Sequence, residues 1–524
     1  MTEVNKITGD VVKEACCRMK PGKMDVSGSY TSDVFLNAPD SLFDYIAPVF
    51  RSFLLHGDVT LQLLSCAFLP LFKGGQKDPG KSDSYRAIAG SSQLLKLLDY
   101  VILLLWGDTL NSDTLQFGFK AGVSTTQCSW MVMEVAQYFL RNDNPVIATL
   151  LDCSKAFDKC LFSALFKKLL EKKLPPIVIR VLIYVYEEQE GCVKLAGVTS
   201  TRFKLTNGTR QGSVLSPVIF SVYLDGLIQE LRQLGLGCHI KGVWMGCFGY
   251  ADDLILLSPS REVMAKMLDV CGKYAAKHNL MFSTDPVPAK SKTKCLYLCG
   301  KARNVSYPAP LVLCGRALPW VESATHLGHE LNQCCNMDFD NKVKRAQYIN
   351  TSVDIRDIFS FAEPQQVLQA VNKYVGHHYG SMLWDRESDI FGQYCRTWNT
   401  CVKLSHNVPR STHTYLVENV LAAGFTPIKT EIMARYGKFY SSLVKCSSTE
   451  IQFMARVVTQ DARSTTYRNL ALIRRETGIN TLVVPARKVR EVVPLREIPA
   501  NQFWRPRLLQ NLLKQRKARW RTVL

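Results

Sequence analysis

The stretch FGYADDLILLS, Phe248–Ser258, places two adjacent aspartates, Asp252 and Asp253, between two runs of apolar residues. The apolar runs have the composition of short strands and aspartate is favoured in tight turns, so the stretch predicts a β-hairpin with the acids at its tip. Two carboxylates beside a buried strand also repel each other and lose hydration, which a divalent cation would offset. The stretch alone leaves the plain turn and the metal site open, and a metal site requires acidic partners elsewhere.

The charge balance of the chain favours a polyanionic partner. Its 524 residues include 65 Lys and Arg against 45 Asp and Glu, which gives a net charge of +20 and a pI near 9.2. A basic excess of this size is typical of nucleic-acid-binding proteins, although it also serves solubility. With 47% hydrophobic and 21% charged residues, the chain has the composition of an ordinary folded soluble protein.

The 18 cysteines fall at irregular spacings, including adjacent pairs such as Cys16–Cys17, and do not form a disulfide framework. This usage predicts reduced thiols in an intracellular protein of the nucleus, the cytoplasm or both. The N-terminus has no apolar signal-peptide core. The longest apolar stretch, Leu94–Gly107, contains Lys96 and Asp99 and is too short to span a bilayer, so no membrane contact is expected.

Apolar patterns predict the order strand, helix, hairpin, helix, strand. Val146–Asp152 is a β-rich run that ends on an acid, and the following helix is expected to have Ser216 as its N-cap and Gly235 just past its last turn. The hairpin arms are expected to be VWMGCFGY and LILLS, a second helix follows Arg261, and KCLYLC forms the last strand. This order predicts an α+β fold in which an antiparallel sheet is covered by helices on one face.

In such a sheet the end of the first strand and the hairpin tip can lie side by side, which would bring Asp152 to Asp252 and Asp253. Carboxylate oxygens are hard ligands that suit Mg²⁺, for which Mn²⁺ can substitute. Two such ions would support an in-line phosphoryl transfer. The paired acids then have a chemical reason to be adjacent.

Several motifs together resemble those of reverse transcriptases from non-LTR (LINE-type) retrotransposons. In the centre of the chain these are LLDCSKAFD (residues 150–158), GTRQGSVLSP (208–217) and GYADD (249–253). Upstream, FLPLFKGG, SDSYRAIAGSSQLLK and LQFGFKAGVSTTQ resemble the family's fingers motifs, and downstream KSKTK and HLGHEL resemble its palm-edge and primer-grip motifs. The resemblance implies an α+β right-hand polymerase with fingers, an antiparallel-sheet palm covered by helices, and a helical thumb.

The resemblance implies a catalytic set. Asp152, Asp252 and Asp253 take the positions of the ligands of two Mg²⁺ ions, and the carbonyl of Cys153 also faces a metal. Lys292 takes the position of the group that protonates the leaving pyrophosphate. The other lysines of KSKTK remain alternatives for that role; they are Lys290 and Lys294.

The resemblance also implies a substrate-binding set. Phe157 falls at the steric-gate position, where an aromatic ring crowds a 2′-hydroxyl; without the resemblance it would be a core aromatic. Gln211 and Gly212 fall beside the template and incoming nucleotide, with a plain turn as the alternative. Lys73 and Arg86 fall at positions that contact a triphosphate, with a solvated loop as the alternative.

The expected function is that of an RNA-directed DNA polymerase that extends a primer 3′-hydroxyl with dNTPs. Its expected partners are an RNA template, a DNA primer, dNTPs and a separate endonuclease activity, because the polymerase motifs begin close to the N-terminus. One alternative is a catalytically silent retroelement relic that binds nucleic acid through its basic surface. Another is an RNA-templated RNA polymerase, which Phe157 argues against. Two segments depart from the family pattern: MKPGKMDVSG matches a Gly-Pro-Asp-Gly motif poorly, and YRAI replaces YRPI.

The expected regions follow from the motifs and from composition. They are an N-terminal extension and fingers (1–145), a palm with the catalytic site (146–330), a helical thumb (331–410) and a basic, mainly helical C-terminal region (411–524). The final segment, RPRLLQNLLKQRKARWRTVL, is either a solvated basic helix or a nucleic-acid contact.

Overall fold

A computed structural model describes residues 2–74, 77–154, 156–285, 287, 290–300, 305–376, 378–422 and 424–477. The expected basic helix RPRLLQNLLKQRKARWRTVL lies outside the described residues. All 18 cysteines lie within them, and none forms a disulfide. No helix in this part of the chain is long and apolar enough to cross a membrane.

The N-terminal part contains five helices and two strands among its described residues. In chain order they are α1 (Gly9–Cys16), α2 (Asp33–Leu36), α3 (Asp40–His56), β1 (Ser65–Phe72), β2 (Tyr85–Gly90), α4 (Gln93–Trp106) and α5 (Thr125–Leu140).

The middle of the chain mixes helices and strands. In chain order they are β3 (Val146–Asp152), α6 (Ala156–Lys159), α7 (Phe162–Glu171), α8 (Pro176–Glu187), β4 (Glu190–Leu195), β5 (Val198–Thr199), β6 (Phe203–Lys204), α9 (Ser216–Gln233), β7 (His239–Ile240), β8 (Val243–Trp244), β9 (Cys247–Tyr250), β10 (Asp253–Ser258), α10 (Arg261–Lys277) and β11 (Lys294–Leu298).

Two short hairpins and a helical region complete the described chain. They comprise β12 (Val312–Leu313), β13 (Arg316–Ala317), β14 (Ser323–His326), β15 (His329–Asn332), α11 (Asp338–Ile358), α12 (Pro364–Val375), α13 (Asp389–Ser405), α14 (Thr414–Leu416), a π-helical turn (Val417–Leu421), α15 (Ile428–Val444), α16 (Thr449–Thr459) and α17 (Thr465–Thr477).

The central sheet has four strands in the order β11-β3-β10-β9, and every neighbouring pair is antiparallel. Helices α5, α9 and α10 pack against these strands. The apolar residues of β3 and β10 are almost fully buried. Strands that are covered on both faces carry continuous apolar runs of this kind. The predicted α+β architecture of a right-hand polymerase is confirmed.

Two local predictions were wrong in detail. Helix α9 begins at Ser216 rather than after it: the Oγ of Ser213 accepts from the N–H groups of Leu215 and Ser216, and the Ser216 hydroxyl donates to the Arg210 carbonyl at 2.6 Å. The first hairpin arm is shorter than VWMGCFGY, because Val243–Trp244 pairs with β7 in a separate hairpin.

A second sheet has five strands. Its order is β2-β1-β4-β5, with β6 paired to β4, and β1 runs parallel to β4. This sheet therefore combines strands from the expected fingers region with strands from the expected palm region. The domain boundaries stay a prediction.

The C-terminal helices pack onto α5. Trp130 donates from its indole to Thr466 at 3.0 Å, and the fully buried Glu134 accepts from Thr466 at 2.6 Å. At the other side, Glu450 forms an ion pair with Arg232 at 3.2 Å. Helix α5 is thus buried between the central sheet and the helices α15 to α17, which belong to the same hydrophobic core.

Candidate active site

The three aspartates lie where two central strands meet. Asp152 is the last residue of β3 and Asp253 the first of β10, and the two are direct partners in the antiparallel register. Directly opposed residues project from the same face of a sheet with Cβ atoms about 5 Å apart. Asp252 belongs to the two-residue turn between β9 and β10, beside this pair. The predicted neighbourhood of Asp152 with the hairpin tip is confirmed.

Burial and the nearby carboxylates disfavour the ionised forms of Asp252 and Asp253. Partial burial, followed by the charges of Asp252 and Asp152, raises the pKa of Asp253 to about 6. Burial also raises the pKa of Asp252, with a further contribution from Asp152. The Nζ of Lys292 lies 3.5 Å from Asp152 Oδ2. The charge of Lys292 lowers the pKa values of Asp252 and Asp253 only in part. Asp252 and Asp253 are therefore protonated more easily than a solvated aspartate.

The donor set suits Mg²⁺, a hard cation with oxygen ligands. Among the described residues, no three His, Cys, Asp or Glu side chains are arranged so that they could hold a metal ion by themselves. Metal binding by the three aspartates stays a prediction.

Cys153 follows β3 and is buried. The bridge between Cys153 and Phe282 is closed by two hydrogen bonds, from Ser154 N–H to the Met281 carbonyl and from Ser283 N–H to the Asp152 carbonyl. Neither bond uses the carbonyl of Cys153, which is consistent with the predicted role of that oxygen. Burial and the neighbouring aspartates raise the pKa of the Cys153 thiol well above its ordinary value, so the thiol stays protonated.

A cleft of about 370 Å³ opens beside Asp152 and Asp253. Its size is within the range of small-ligand sites. Lys292 lines it and reaches Asp152, and the other two lysines of KSKTK line it as well; they are Lys290 and Lys294. The contact with Asp152 favours Lys292 over its neighbours as the cationic group of the site.

The hairpin β14–β15 forms the opposite wall of this cleft with His326 and Leu327. Burial lowers the pKa of His326 to about 3 and that of His329 to about 4, so both imidazoles are neutral near neutral pH. The Tyr379 ring stacks on His329 with centroids 4.6 Å apart, and its hydroxyl donates to the Leu327 carbonyl at 2.6 Å. A residue that follows α12 thereby holds the hairpin tip.

Phe157 lies on the short helix α6 directly after the Asp152 strand. Its ring stacks on Phe220 with centroids 4.0 Å apart and meets Phe119 edge-on at 6.1 Å. Its carbonyl accepts from the Thr209 N–H at 2.6 Å. Phe157 is thus held rigidly and is only partly buried. Its role as a gate stays a prediction.

Gln211 and Gly212 lie between this helix and the second sheet. The amide of Gln211 donates to Asp158 Oδ1 at 2.6 Å. Gly212 has a φ of +81°, and a Cβ built at this position would lie 2.5 Å from the Ala89 carbonyl oxygen. The backbone geometry therefore requires glycine at this position. The predicted pair lies next to Phe157 and to the end of β2.

Lys73 and Arg86 lie on the β1–β2 hairpin. Arg86 is opposite Leu71, and the ladder continues through a bond from Lys73 N–H to the Ser84 carbonyl. Lys73 and Arg86 are therefore diagonal neighbours on one face and both are exposed. The ammonium of Lys73 donates to the Asp83 carbonyl at 2.7 Å, so it is anchored in the loop. Contact with a triphosphate stays a prediction for both residues.

Two further residues support the site and had no predicted role. Asp99, noted in the sequence only as a charge within an apolar stretch, accepts from Arg210 at 2.5 Å, from Ser213 at 2.6 Å and from the Val214 N–H at 3.1 Å. It holds the loop that carries Gln211 and Gly212. A lone acid in a helix otherwise rich in leucine is the sequence signal for such a buried anchor.

The second residue is Gln116 of LQFGFKAGVSTTQ. It is completely buried and its amide bonds to the backbone of Ala251, the first residue of the turn that carries Asp252. No single-sequence pattern distinguishes this glutamine from an ordinary polar residue, because its partner lies 135 residues away.

Comparison with known proteins finds a family match for the part of the chain that contains this site. Residues 76–331 match the family described as "Reverse transcriptase (RNA-dependent DNA polymerase)". Residues 76–331 are a reverse transcriptase domain. The matched range includes all three aspartates, the loop with Gln211 and Gly212, and most of the hairpin β14–β15.

The reverse transcriptase domain is similar to those of non-LTR retrotransposons. The chain is 23% identical over 303 residues to the Pol polyprotein from retrotransposable element R2 of Nasonia vitripennis, covering 57% of this chain and 28% of that protein. It is 25% identical over 310 residues to the RNA-directed DNA polymerase from mobile element jockey of Drosophila melanogaster, covering 56% and 32%. It is 26% identical over 330 residues to a putative 115 kDa protein in element R1DM of the same fly, covering 59% and 28%. The chain thus spans about a third of the length of these relatives or less.

Among solved structures, the chain is similar to telomerase from Candida albicans in complex with a TWJ fragment of telomeric RNA. The TM-score is 0.39 and the sequence identity 12%, and the match covers 80% of this chain and 66% of that one.

Proposed function

We propose that the chain is an RNA-directed DNA polymerase of the non-LTR retrotransposon type, which extends a primer 3′-hydroxyl with dNTPs. The register of β3 against β10 supports this proposal best, because it pairs Asp152 with Asp253 beside Asp252 inside a reverse transcriptase domain. Aspartates with raised pKa values in a cleft are expected at sites that bind cations or act in catalysis. The proposed partners are an RNA template, a DNA primer and dNTPs.

Two Mg²⁺ ions, or Mn²⁺ in their place, would be held by Asp152, Asp252, Asp253 and the carbonyl of Cys153. When bound, they would supply the positive charge that activates the attacking hydroxyl and stabilises the leaving oxygen. Lys292 would donate a proton to the departing pyrophosphate. Its ammonium lies 3.5 Å from Asp152 and lines the same cleft, which supports this assignment.

The remaining residues bind and select the nucleotide. Phe157, stacked on Phe220, would crowd a 2′-hydroxyl and so favour deoxynucleotides. Gln211 and Gly212 would contact the template and the incoming nucleotide. Lys73 and Arg86 of the β1–β2 hairpin would contact the triphosphate. An arginine can bind two phosphate oxygens at once, and a lysine acts as a point charge.

We propose the domain boundaries that the sequence predicts. They are an N-terminal extension and fingers (1–145), a palm (146–330), a helical thumb (331–410) and a basic C-terminal region (411–524). The free thiols support an intracellular location, in the nucleus, the cytoplasm or both.

A primer-extension assay tests the function. With a poly-rA template, an oligo-dT primer, dTTP and Mg²⁺, the unaltered chain should extend the primer, and Asp252→Asn should lower the rate by about 100-fold or more. The matched control is Asp354→Asn, which makes the same chemical change on the exposed surface of α11 and should leave the rate unchanged.

Other results would contradict the proposal. Template-primer binding without extension by the unaltered chain would favour a catalytically silent, nucleic-acid-binding relic. A preference for UTP over dTTP would refute the proposed gate at Phe157. Equal losses in Asp252→Asn and Asp354→Asn would show that the hairpin tip has no special role.

A further inference from the structure

The turn between β9 and β10 has an unusual backbone. Only Ala251 and Asp252 lie between the paired residues Tyr250 and Asp253, and Ala251 has a φ of +57°. The first position of such a two-residue turn normally carries glycine when its φ is positive, because a Cβ there crowds the following carbonyl. In alanine the conformation costs about 1–2 kcal/mol. Contacts from outside the hairpin must therefore stabilise the turn.

Gln116 supplies these contacts. Its Oε1 accepts from the Ala251 N–H at 2.9 Å, and its Nε2 donates to the Ala251 carbonyl at 3.2 Å. The same Oε1 accepts from the Gly118 N–H at 2.9 Å, which orients the amide. Gln116 is completely buried, so water does not compete for these bonds.

The backbone around Gln116 is attached to the same hairpin. Phe117 N–H donates to the Gly249 carbonyl at 2.7 Å, and Gly249 N–H donates to the Leu115 carbonyl at 2.9 Å. Gly118 is packed so closely that a Cβ built on it would lie 2.3 Å from the Ala251 nitrogen. The segment from Leu115 to Gly118 thus forms a rigid support directly behind the turn.

We propose that Gln116 is a positioning residue for the polymerase reaction. Gln116 bonds to both the N–H and the carbonyl of Ala251, whose backbone is strained. These bonds set the direction in which Asp252 and Asp253 leave the turn. Because its side chain is completely buried, Gln116 would reach neither substrate nor cation and would act only through the backbone of the turn. This inference rests on the proposed function, because it assigns a role to the support of the same site.

Gln116→Met tests the proposal, since methionine has a similar length and no hydrogen-bonding amide. We expect kcat to fall by about 10- to 100-fold, since small misplacements of catalytic groups have effects of that size. The KM values for dTTP and for template-primer should stay within about twofold, because neither ligand contacts Gln116. Binding of Mn²⁺ alone, measured by electron paramagnetic resonance, should weaken by about fivefold or more.

The matched control is Gln93→Met. Gln93 is also a buried glutamine, and its amide donates to the Met24 carbonyl at 3.0 Å, away from the hairpin. The Gln93→Met variant should lose about as much thermal stability as Gln116→Met, but it should keep its kcat and its Mn²⁺ affinity. Should Gln116→Met fail to fold, Gly118→Ala displaces the same turn without altering Gln116 and should give the same signature.

Unchanged kcat and Mn²⁺ affinity in Gln116→Met, or equal changes in Gln93→Met, would overturn the proposal. An unaltered chain that binds template-primer without extending it would refute the proposed polymerase function instead. In that case the Mn²⁺ measurement alone still decides the role of Gln116.

Discussion

Asp253→Asn should make the protein more stable while it abolishes polymerase activity. Burial and two neighbouring carboxylates raise the pKa of Asp253 from 3.8 to about 6. The difference between these values corresponds to about 3 kcal/mol of unfavourable free energy for the ionised carboxylate. Because the side chain is partly exposed, solvent screening reduces the expected gain in the free energy of unfolding to about 1–2 kcal/mol.

The pH dependence of this gain has a definite sign. The folded-state pKa lies above the unfolded one, so the native chain binds the proton more tightly and wild-type stability falls as the pH rises through about 6. The advantage of Asp253→Asn should therefore be complete above about pH 7 and vanish near pH 4. Mg²⁺ at ten times its dissociation constant should return about 1.4 kcal/mol to the wild type and less to the variant.

Denaturant melts of both proteins across this pH range, with and without Mg²⁺, provide the measurement. Asp354→Asn on α11 is the control, since it removes an exposed carboxylate from a helix surface and should change stability little at any pH. A variant no more stable than the wild type near neutral pH would refute the reasoning. So would a stability difference that does not change between about pH 4 and pH 8.

Three further predictions follow from the same site. Protons compete with Mg²⁺ for Asp253, so the Mg²⁺ concentration for half-maximal extension should rise as the pH falls through about 6, and a constant requirement would contradict the raised pKa. Phe157→Val should raise ribonucleotide relative to deoxynucleotide incorporation by about tenfold, or about 1.4 kcal/mol, in single-nucleotide extension; unchanged selectivity would place the gate elsewhere. Asp99→Asn leaves the buried charge of Arg210 uncompensated, so it should cost about 3 kcal/mol of stability and raise the KM for dNTPs; a normal KM would show that the loop needs no such anchor.

The fold and the central site were largely predictable from the sequence, because their signals are local. The run Val146–Asp152 has strand composition and an acidic end, and FGYADDLILLS combines apolar arms with turn residues. These patterns place Asp152 and Asp253 at strand ends and Asp252 in the adjoining turn without any tertiary information. The errors were also local: the start of α9 moved by one residue because Ser213, and not Ser216, accepts from the first N–H groups of the helix.

The supports of the site were not predictable from the sequence. Asp99 bonds to Arg210 from 111 residues away, and Gln116 bonds to Ala251 from 135 residues away. A hydrogen bond across such a separation has no periodicity and no spacing in a single sequence, so only the folded chain reveals it. The same holds for the C-terminal helices, whose burial against α5 depends on Glu134 and Thr466 meeting across the core.

The sequence by itself predicted two acids at a hairpin tip and a third at a strand end, and the resemblance to reverse transcriptases added the predicted glycine and aromatic positions around them. The tertiary structure decided how they are held. The register that pairs Asp152 with Asp253 is set by packing in the folded sheet, because the apolar run of β10 is buried on both faces and has no alternation that would specify it. The strained turn at Ala251 persists because a buried amide from another segment binds its backbone, and such long-range contacts form only in the folded chain.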